Sequence, residues 1–186
     1  MKSEDISRRS FLKRAAALSA AAAIPSFWIP SKANAMPGVP FVSANEKVRI
    51  AFIGIGNRGG EIAQELYKTG LCEVVALCDV DMGAPHTQKL ISMFPKVPRF
   101  QDFRQMFDKM ADKIDAVTVG TPDHSHFPIT IEAMAHGKHV YVEKPMARTF
   151  QEIEVMMRAE KKFGVVTQMG NQGHSEANYF QFKAWK

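Results

Sequence analysis

Cysteine is nearly absent from this sequence: Cys72 and Cys78 are its only two in 186 residues. They flank or lie in one extended run, which sets them about 20 Å apart along a strand, far beyond the roughly 7 Å within which two Cα atoms can be bridged. A disulfide scaffold is excluded, and both thiols are expected free. Long apolar runs are absent too, since the Ala-rich stretch 15–24 falls well short of the ~20 residues a membrane span needs. Outside that stretch there are no repeats or low-complexity tracts, which excludes a repeat array.

Positive charge is scarce once its location is taken into account. Of the formal +5, residues 1–35 hold a surplus of four, with Lys2, Arg8, Arg9, Lys13, Arg14 and Lys32 against Glu4 and Asp5. The rest of the chain is near +1, so the high isoelectric point is no argument for nucleic acid as a partner. Metal-ligand spacing is missing as well. His124 and His126 would share one side of a strand, and His136, His139 and His174 lie further on, but no cysteine or carboxylate set joins them. No metal is expected.

Against these absences stands Gly54-Ile55-Gly56-Asn57-Arg58-Gly59. It follows the apolar run 48–53, and Asp79 closes the next apolar run twenty residues after Gly59. This is a dinucleotide-binding fingerprint in the strand-turn-helix context that gives it meaning. Gly54 lets the chain turn sharply off the strand, Gly56 lets the backbone approach a pyrophosphate, and Gly59 lets the next helix pack closely on the sheet. The pyrophosphate then rests on the helix's N-terminal amides, where unpaired N–H groups and the dipole favour an anion. Asn57 and Arg58 belong to that turn, Arg58 as either a bidentate phosphate contact or a solvated side chain. Asp79 is placed to accept hydrogen bonds from an adenosine ribose and to repel a 2′-phosphate, so the expected cofactor is NAD rather than NADP.

Apolar, valine-rich runs at 48–53, 73–78, 116–119, 140–142 and 165–169 alternate with amphipathic stretches at 60–68, 82–93, 103–112, 127–135 and 150–162. The alternation predicts an α/β protein with a Rossmann-type, doubly wound parallel sheet covered on both faces. Thr149 followed by Glu152 reads as a capping box. Cys78, beside Asp79 at a strand end, has no activating base near it in sequence, and a catalytic role is not expected.

Two further segments follow strand patterns and so fall on the carboxyl edge where open sheets bind ligands. They are Thr121-Pro122-Asp123-His124-Ser125-His126 and Glu143-Lys144-Pro145. Together with the glycine turn, Asp79 and the stretch 133–147, in which His136-Gly137-Lys138-His139-Val140 leads into Glu143-Lys144-Pro145, they make the sequence resemble the Gfo/Idh/MocA oxidoreductases from about residue 47 to 170. The resemblance implies a catalytic role for Lys144, which matches the lysine that reaches the substrate hydroxyl and the nicotinamide. It implies that Glu143 contacts the cofactor and that Pro145 fixes the turn, a cis bond being one way it can do so. It also implies that Thr121, Pro122 and Asp123 line the nicotinamide ribose, and that His126 either contacts the cofactor or caps the next helix. His136 and His139 are read as structural.

By the same resemblance the activity expected of the full-length protein is NAD-dependent hydride transfer at a hydroxyl of a sugar, polyol or glycoside, within a homo-oligomer. The first alternative is a glycosidase of the same family that uses NAD for transient oxidation; the second is an inactive NAD-binding fragment. The family's second, α+β domain supplies an Asp and His pair that this sequence does not contain. The chain reaches Lys186 in an apolar helical pattern without a stop signal, an ending expected of a cut polypeptide.

At the other end, Ser7-Arg8-Arg9-Ser10-Phe11-Leu12-Lys13 resembles the twin-arginine export signal at every consensus position, and Ala33-Asn34-Ala35 offers a small-residue cleavage site before Met36. The expected organisation is a leader at 1–35 recognised by the twin-arginine machinery, a linker at 36–46, a dinucleotide-binding domain at 47–170, and the start of a second domain at 171–186. The expected location is periplasmic or exported, with the cofactor carried inside the folded protein.

Overall fold

The computed structural model describes residues 47–174 and 177–185; the expected leader and linker lie outside the described residues. Strands β1 (Val48–Ile53), β2 (Cys72–Cys78), β3 (Arg99–Phe100), β4 (Ala116–Val119), β5 (His139–Glu143) and β6 (Thr167–Gly170) pair in parallel in the order β3-β2-β1-β4-β5-β6. The crossovers carry helices α1 (Asn57–Lys68), α2 (Gln88–Met93), α3 (Phe103–Met110), α4 (His126–Ala135) and α5 (Phe150–Phe163), and α6 (Ala177–Ala184) follows β6. The chain winds outward from β1 through β2 to β3, then returns to β4 on β1's other side. That reversal is the doubly wound topology the alternation predicts, and it opens a crevice at the carboxyl ends of β1 and β4.

Strand alternation distributes the core between two faces. Ile50 and Phe52 pack with Val74, Leu77, Leu90 and Phe94 on one side, whereas Ala51 and Ile53 pack with Ala76, Val117, Val119, Val142 and Met156 on the other. Phe52 and Leu77 are wholly buried, and each contributes about 2 kcal/mol of apolar transfer. One irregularity interrupts the register: Ile50 pairs with Val74 but Ala51 pairs with Ala76, so Val75 is an extra residue in β2. Val75 and Ala76 consequently pack on the same side. Beyond this bulge Ile53 stands level with Cys78, and Gly54 N donates to Cys78 O at 2.8 Å while Gly120 N donates to Ile53 O at 2.8 Å. The first residues past three strands therefore leave the sheet together.

Local chemistry sets the helix ends. Thr149 Oγ1 accepts from Glu152 N at 3.2 Å and Glu152 Oε2 accepts from Thr149 N at 3.0 Å, the reciprocal cap read from the sequence, and Gly164 ends α5 in the left-handed region at φ 64°. The expected helix at 82–93 shrinks to Gln88–Met93. Pro85 has no N–H to give, Asp81 Oδ1 takes Gly83 N at 3.1 Å, and the buried Thr87 hydroxyl donates to Ala84 O at 2.8 Å, so residues 82–87 close as turns instead. β3 is too short at two residues to show as an apolar run.

At the amino edge of the sheet, opposite the crevice, Asp115 is 1% exposed and takes three bonds from Arg49: N at 2.9 Å, Nε at 2.9 Å and Nη2 at 2.6 Å. Burial works against that carboxylate's charge, but Arg49's hydrogen bonds and charge, helped by Lys138, hold its pKa below the usual value. Lys138 is itself buried, and desolvation pushes its pKa down despite Asp115.

Candidate functional site

Gly54 has φ +77°, and a Cβ there would come within 2.6 Å of both Gly120 C and Thr121 N. A Cβ on Gly59 would run into Gly54 O. The turn is thus a place where three stretches of backbone meet with no room for side chains, the condition that glycine alone satisfies. Asn57 opens α1 at φ 41°, left-handed and tolerated by Asn. Asp79 is tied to this turn directly: its Oδ2 accepts from Ile55 N at 2.9 Å and its Oδ1 from Asp81 N at 3.0 Å. Sequence reasoning assigned Asp79 to a ribose and did not foresee that it also braces the turn.

A cleft of about 790 Å³ opens above these residues, of the size small-ligand sites have. Gly54, Gly56, Asn57 and Arg58 line it from the first loop, Asp79 from the second, and Thr121 and Pro122 from the third. Thr121 Oγ1 is buried at the cleft wall and has no hydrogen-bond partner among the described residues. Cys78 also lines it; burial, then the charges of Asp79 and Asp102, push its thiol up to about 12, which disfavours the thiolate a nucleophile would need.

The remaining expected site residues stand differently. Gly59 is buried beneath the turn rather than in the cleft wall, and Asp123 is exposed on a short 3-10 turn, Asp123–Ser125, outside the lining. His126, read as a cofactor contact or a cap, is 1% exposed at the start of α4; its Nδ1 lies 2.6 Å from Pro145 O and its Nε2 2.7 Å from Thr121 O. It is not among the residues lining the cleft and forms no side-chain cap. Instead it joins the Thr121 loop to the Lys144 turn. Because residues 123–126 are a 3-10 turn and a helix start, strand alternation does not bring His124 and His126 together. Among the described residues no cluster of three His, Cys, Asp or Glu is arranged to hold a metal ion.

Glu143 ends β5 at 5% exposure, with Oε1 lacking a hydrogen bond and Arg58 Nε 3.6 Å away. Arg58 also donates to Glu61 Oε2 at 3.1 Å, and that bond, against burial and with Glu143, raises its pKa. The guanidinium thus lies on the cleft wall, partly exposed, with a carboxylate on either side. Lys144 is exposed beyond β5, outside the cleft lining, and its bond to Pro145 is cis. His136 stacks on Phe107 with ring centroids 5.0 Å apart, and His139 Nδ1 accepts from Val166 N at 2.9 Å, so both are structural. Sequence reasoning missed His86, Gln101 and Arg104, which also line the cleft. Their signal was positional: His86 lies in the loop after β2, and the other two follow β3.

The residues fit a dinucleotide. The glycine turn leaves backbone bare where a Cβ would clash, an acid stands beside it, and Thr121, whose hydroxyl has no partner, lines the same cleft. Comparison with known proteins agrees. The model of the Gfo/Idh/MocA oxidoreductase family, NAD-binding Rossmann fold, matches residues 48–171. An alpha-N-acetylgalactosaminidase of Shewanella oneidensis is 29% identical over 220 residues, covering 98% of this chain and 48% of that protein. A glycosyl hydrolase family 109 protein of Shewanella baltica is 31% identical over 174 residues, covering 84% of this chain and 38% of its own length. The chain thus spans about half the length, or less, of these curated relatives. Among solved structures, myo-inositol 2-dehydrogenase from Lactobacillus plantarum superposes with a TM-score of 0.65 at 25% identity, over 75% of this chain and 40% of that one. The WlbA dehydrogenase from Thermus thermophilus, crystallised with NAD and alpha-ketoglutarate, shares the fold at 21% identity and a TM-score of 0.65, over 74% of this chain and 45% of that one.

Proposed function

The chain belongs to the Gfo/Idh/MocA oxidoreductase family and forms its NAD-binding Rossmann domain, and from that premise we propose that the full-length protein acts at a hydroxyl-bearing carbon of a sugar, polyol or glycoside. NAD, when bound, supplies the hydride acceptor or donor. Gly54, Gly56 and the amides opening α1 would hold its pyrophosphate, Asp79 its adenosine ribose, and Thr121 its second ribose. Lys144 would steady the substrate oxygen as it becomes a ketone, an ammonium donating to a developing alkoxide. The observation that carries this reading is the His126 link, 2.7 Å to Thr121 O and 2.6 Å to Pro145 O, which ties the lysine turn to the loop bearing the orphaned hydroxyl.

A second reading has its own support, since the Shewanella relatives are named as glycosidases. In that case oxidation at the sugar would be transient: the glycosidic bond breaks with departure of the aglycone, water adds in its place, and the hydride is returned to the ring. Both readings share the first hydride step and the same roles for these residues. Incubating the full-length, NAD-loaded protein with free polyols and with nitrophenyl α-N-acetylgalactosaminide separates them. Accumulating NADH with a polyol supports the dehydrogenase, nitrophenol release without net NADH supports the glycosidase, and neither product refutes the carbohydrate assignment. We further propose export through the twin-arginine route on the strength of Ser7 to Lys13, and a homo-oligomeric full-length protein.

A further inference from the structure

The loop after β2 is given its shape by its own side chains. Asp79 Oδ1 accepts from Asp81 N at 3.0 Å, Asp81 Oδ1 accepts from Gly83 N at 3.1 Å, and Thr87, fully buried, donates its hydroxyl to Ala84 O at 2.8 Å. The loop so fixed lays one side chain on the glycine turn. The His86 ring lies so close to Gly56 that a Cβ on residue 56 would run into its Cδ2 and stand 2.9 Å from its Nε2. His86 is solvent-exposed and lines the same cleft as Asn57 and Arg58, and no hydrogen bond among the described residues holds its ring. Arg58, on the turn itself, is paired with Glu61 and Glu143. An imidazole with uncommitted nitrogens therefore stands where the backbone of the turn is bare.

We propose that His86 is a pyrophosphate-binding residue of the NAD cleft, adding a side-chain N–H to the backbone amides of the glycine turn. The inference rests on the NAD reading and deepens it. The role belongs to the loop rather than to the fingerprint: the turn provides the amides, and the stretch from Asp79 to Thr87 brings the donor.

Titration calorimetry on the full-length protein tests it, with NAD, ADP-ribose and adenosine as probes and with His86→Leu and His86→Gln as variants. His86→Leu should weaken NAD and ADP-ribose about 10-fold, equivalent to about 1.4 kcal/mol, and leave adenosine, which has no phosphate, unchanged. His86→Gln retains an N–H donor and should keep most of the affinity. Unchanged or tighter NAD binding by His86→Leu would show the ring to be a spacer and overturn the proposal, as would a loss shared by adenosine. If the wild-type protein binds none of the three probes, the NAD reading itself fails, a result distinct from any change between variants.

Discussion

Ile55 N and Asp79 Oδ2 are joined by a 2.9 Å hydrogen bond across 24 residues of sequence. The acid proposed to read the cofactor's ribose is therefore also a brace of the glycine turn, and the two roles cannot be altered separately by removing the side chain. A bond to a carboxylate of this kind is worth about 1.5–3 kcal/mol.

Cofactor choice follows from that acid. A carboxylate at Asp79 accepts from ribose hydroxyls and repels a 2′-phosphate, so titration calorimetry on the full-length protein should give NAD at least a tenfold advantage over NADP, about 1.4 kcal/mol. Equal affinities would remove Asp79 from the ribose. Asp79→Ala should weaken both nucleotides, because the turn loses its brace as well.

Lys144→Ala should lower kcat by roughly 100-fold or more while NAD affinity stays within a few-fold, since a donor to the developing alkoxide acts in the transition state and Lys144 stands outside the cofactor cleft. Steady-state kinetics and calorimetry on the same preparation decide this. Unchanged turnover would make the lysine structural.

Stability should have an acid limb carried by Asp115. Its folded pKa lies below its ordinary value, so its contribution is complete above about pH 4, where the unfolded carboxyl is ionised, and is lost as pH falls through the lower folded value. Asp115→Asn should cost about 1–3 kcal/mol at neutral pH, less than a fully buried pair because Arg49 is partly solvated, and should flatten the acid limb. Thermal melts from pH 6 to pH 2 check this; parallel curves for wild type and variant would place the acid sensitivity elsewhere.

Export is tested at the leader. Replacing Arg8 and Arg9 with lysine should retain the precursor in the cytoplasm, read by fractionation and immunoblot. Normal periplasmic accumulation of the double variant would rule out the twin-arginine route.

The legibility of the sequence divides along a physical line. Gly54 and Gly59 could be read because their spacing answers a backbone constraint that any sequence with this turn must meet. Thr149 and Glu152 could be read because a capping box is local. β3 escaped because Arg99 and Phe100 owe their strand geometry to Leu77 and Cys78 alongside them. His126 escaped for a related reason: its partners lie 5 and 19 residues away, on loops brought together by the sheet. His86 was invisible because its place depends on a chain of bonds within the Asp79 loop that composition does not encode. The shortened α2 traces to the same loop.

The extra residue at Val75 works as a shim. Successive side chains in a strand point to opposite faces, so a regular strand that kept Val75 in register would bring Cys78 to the place where Asp79 now meets Ile55 N, and the bulge is what sets Val75 aside and keeps the acid in phase. The bond between Asp79 and the glycine turn thus depends on counting within a buried strand, four residues before the acid that makes it. Deleting Val75 alone should therefore keep Asp79 at Ile55 N and NAD binding within a few-fold of wild type, whereas inserting one residue between Ala76 and Cys78 should carry the acid out of reach of the turn.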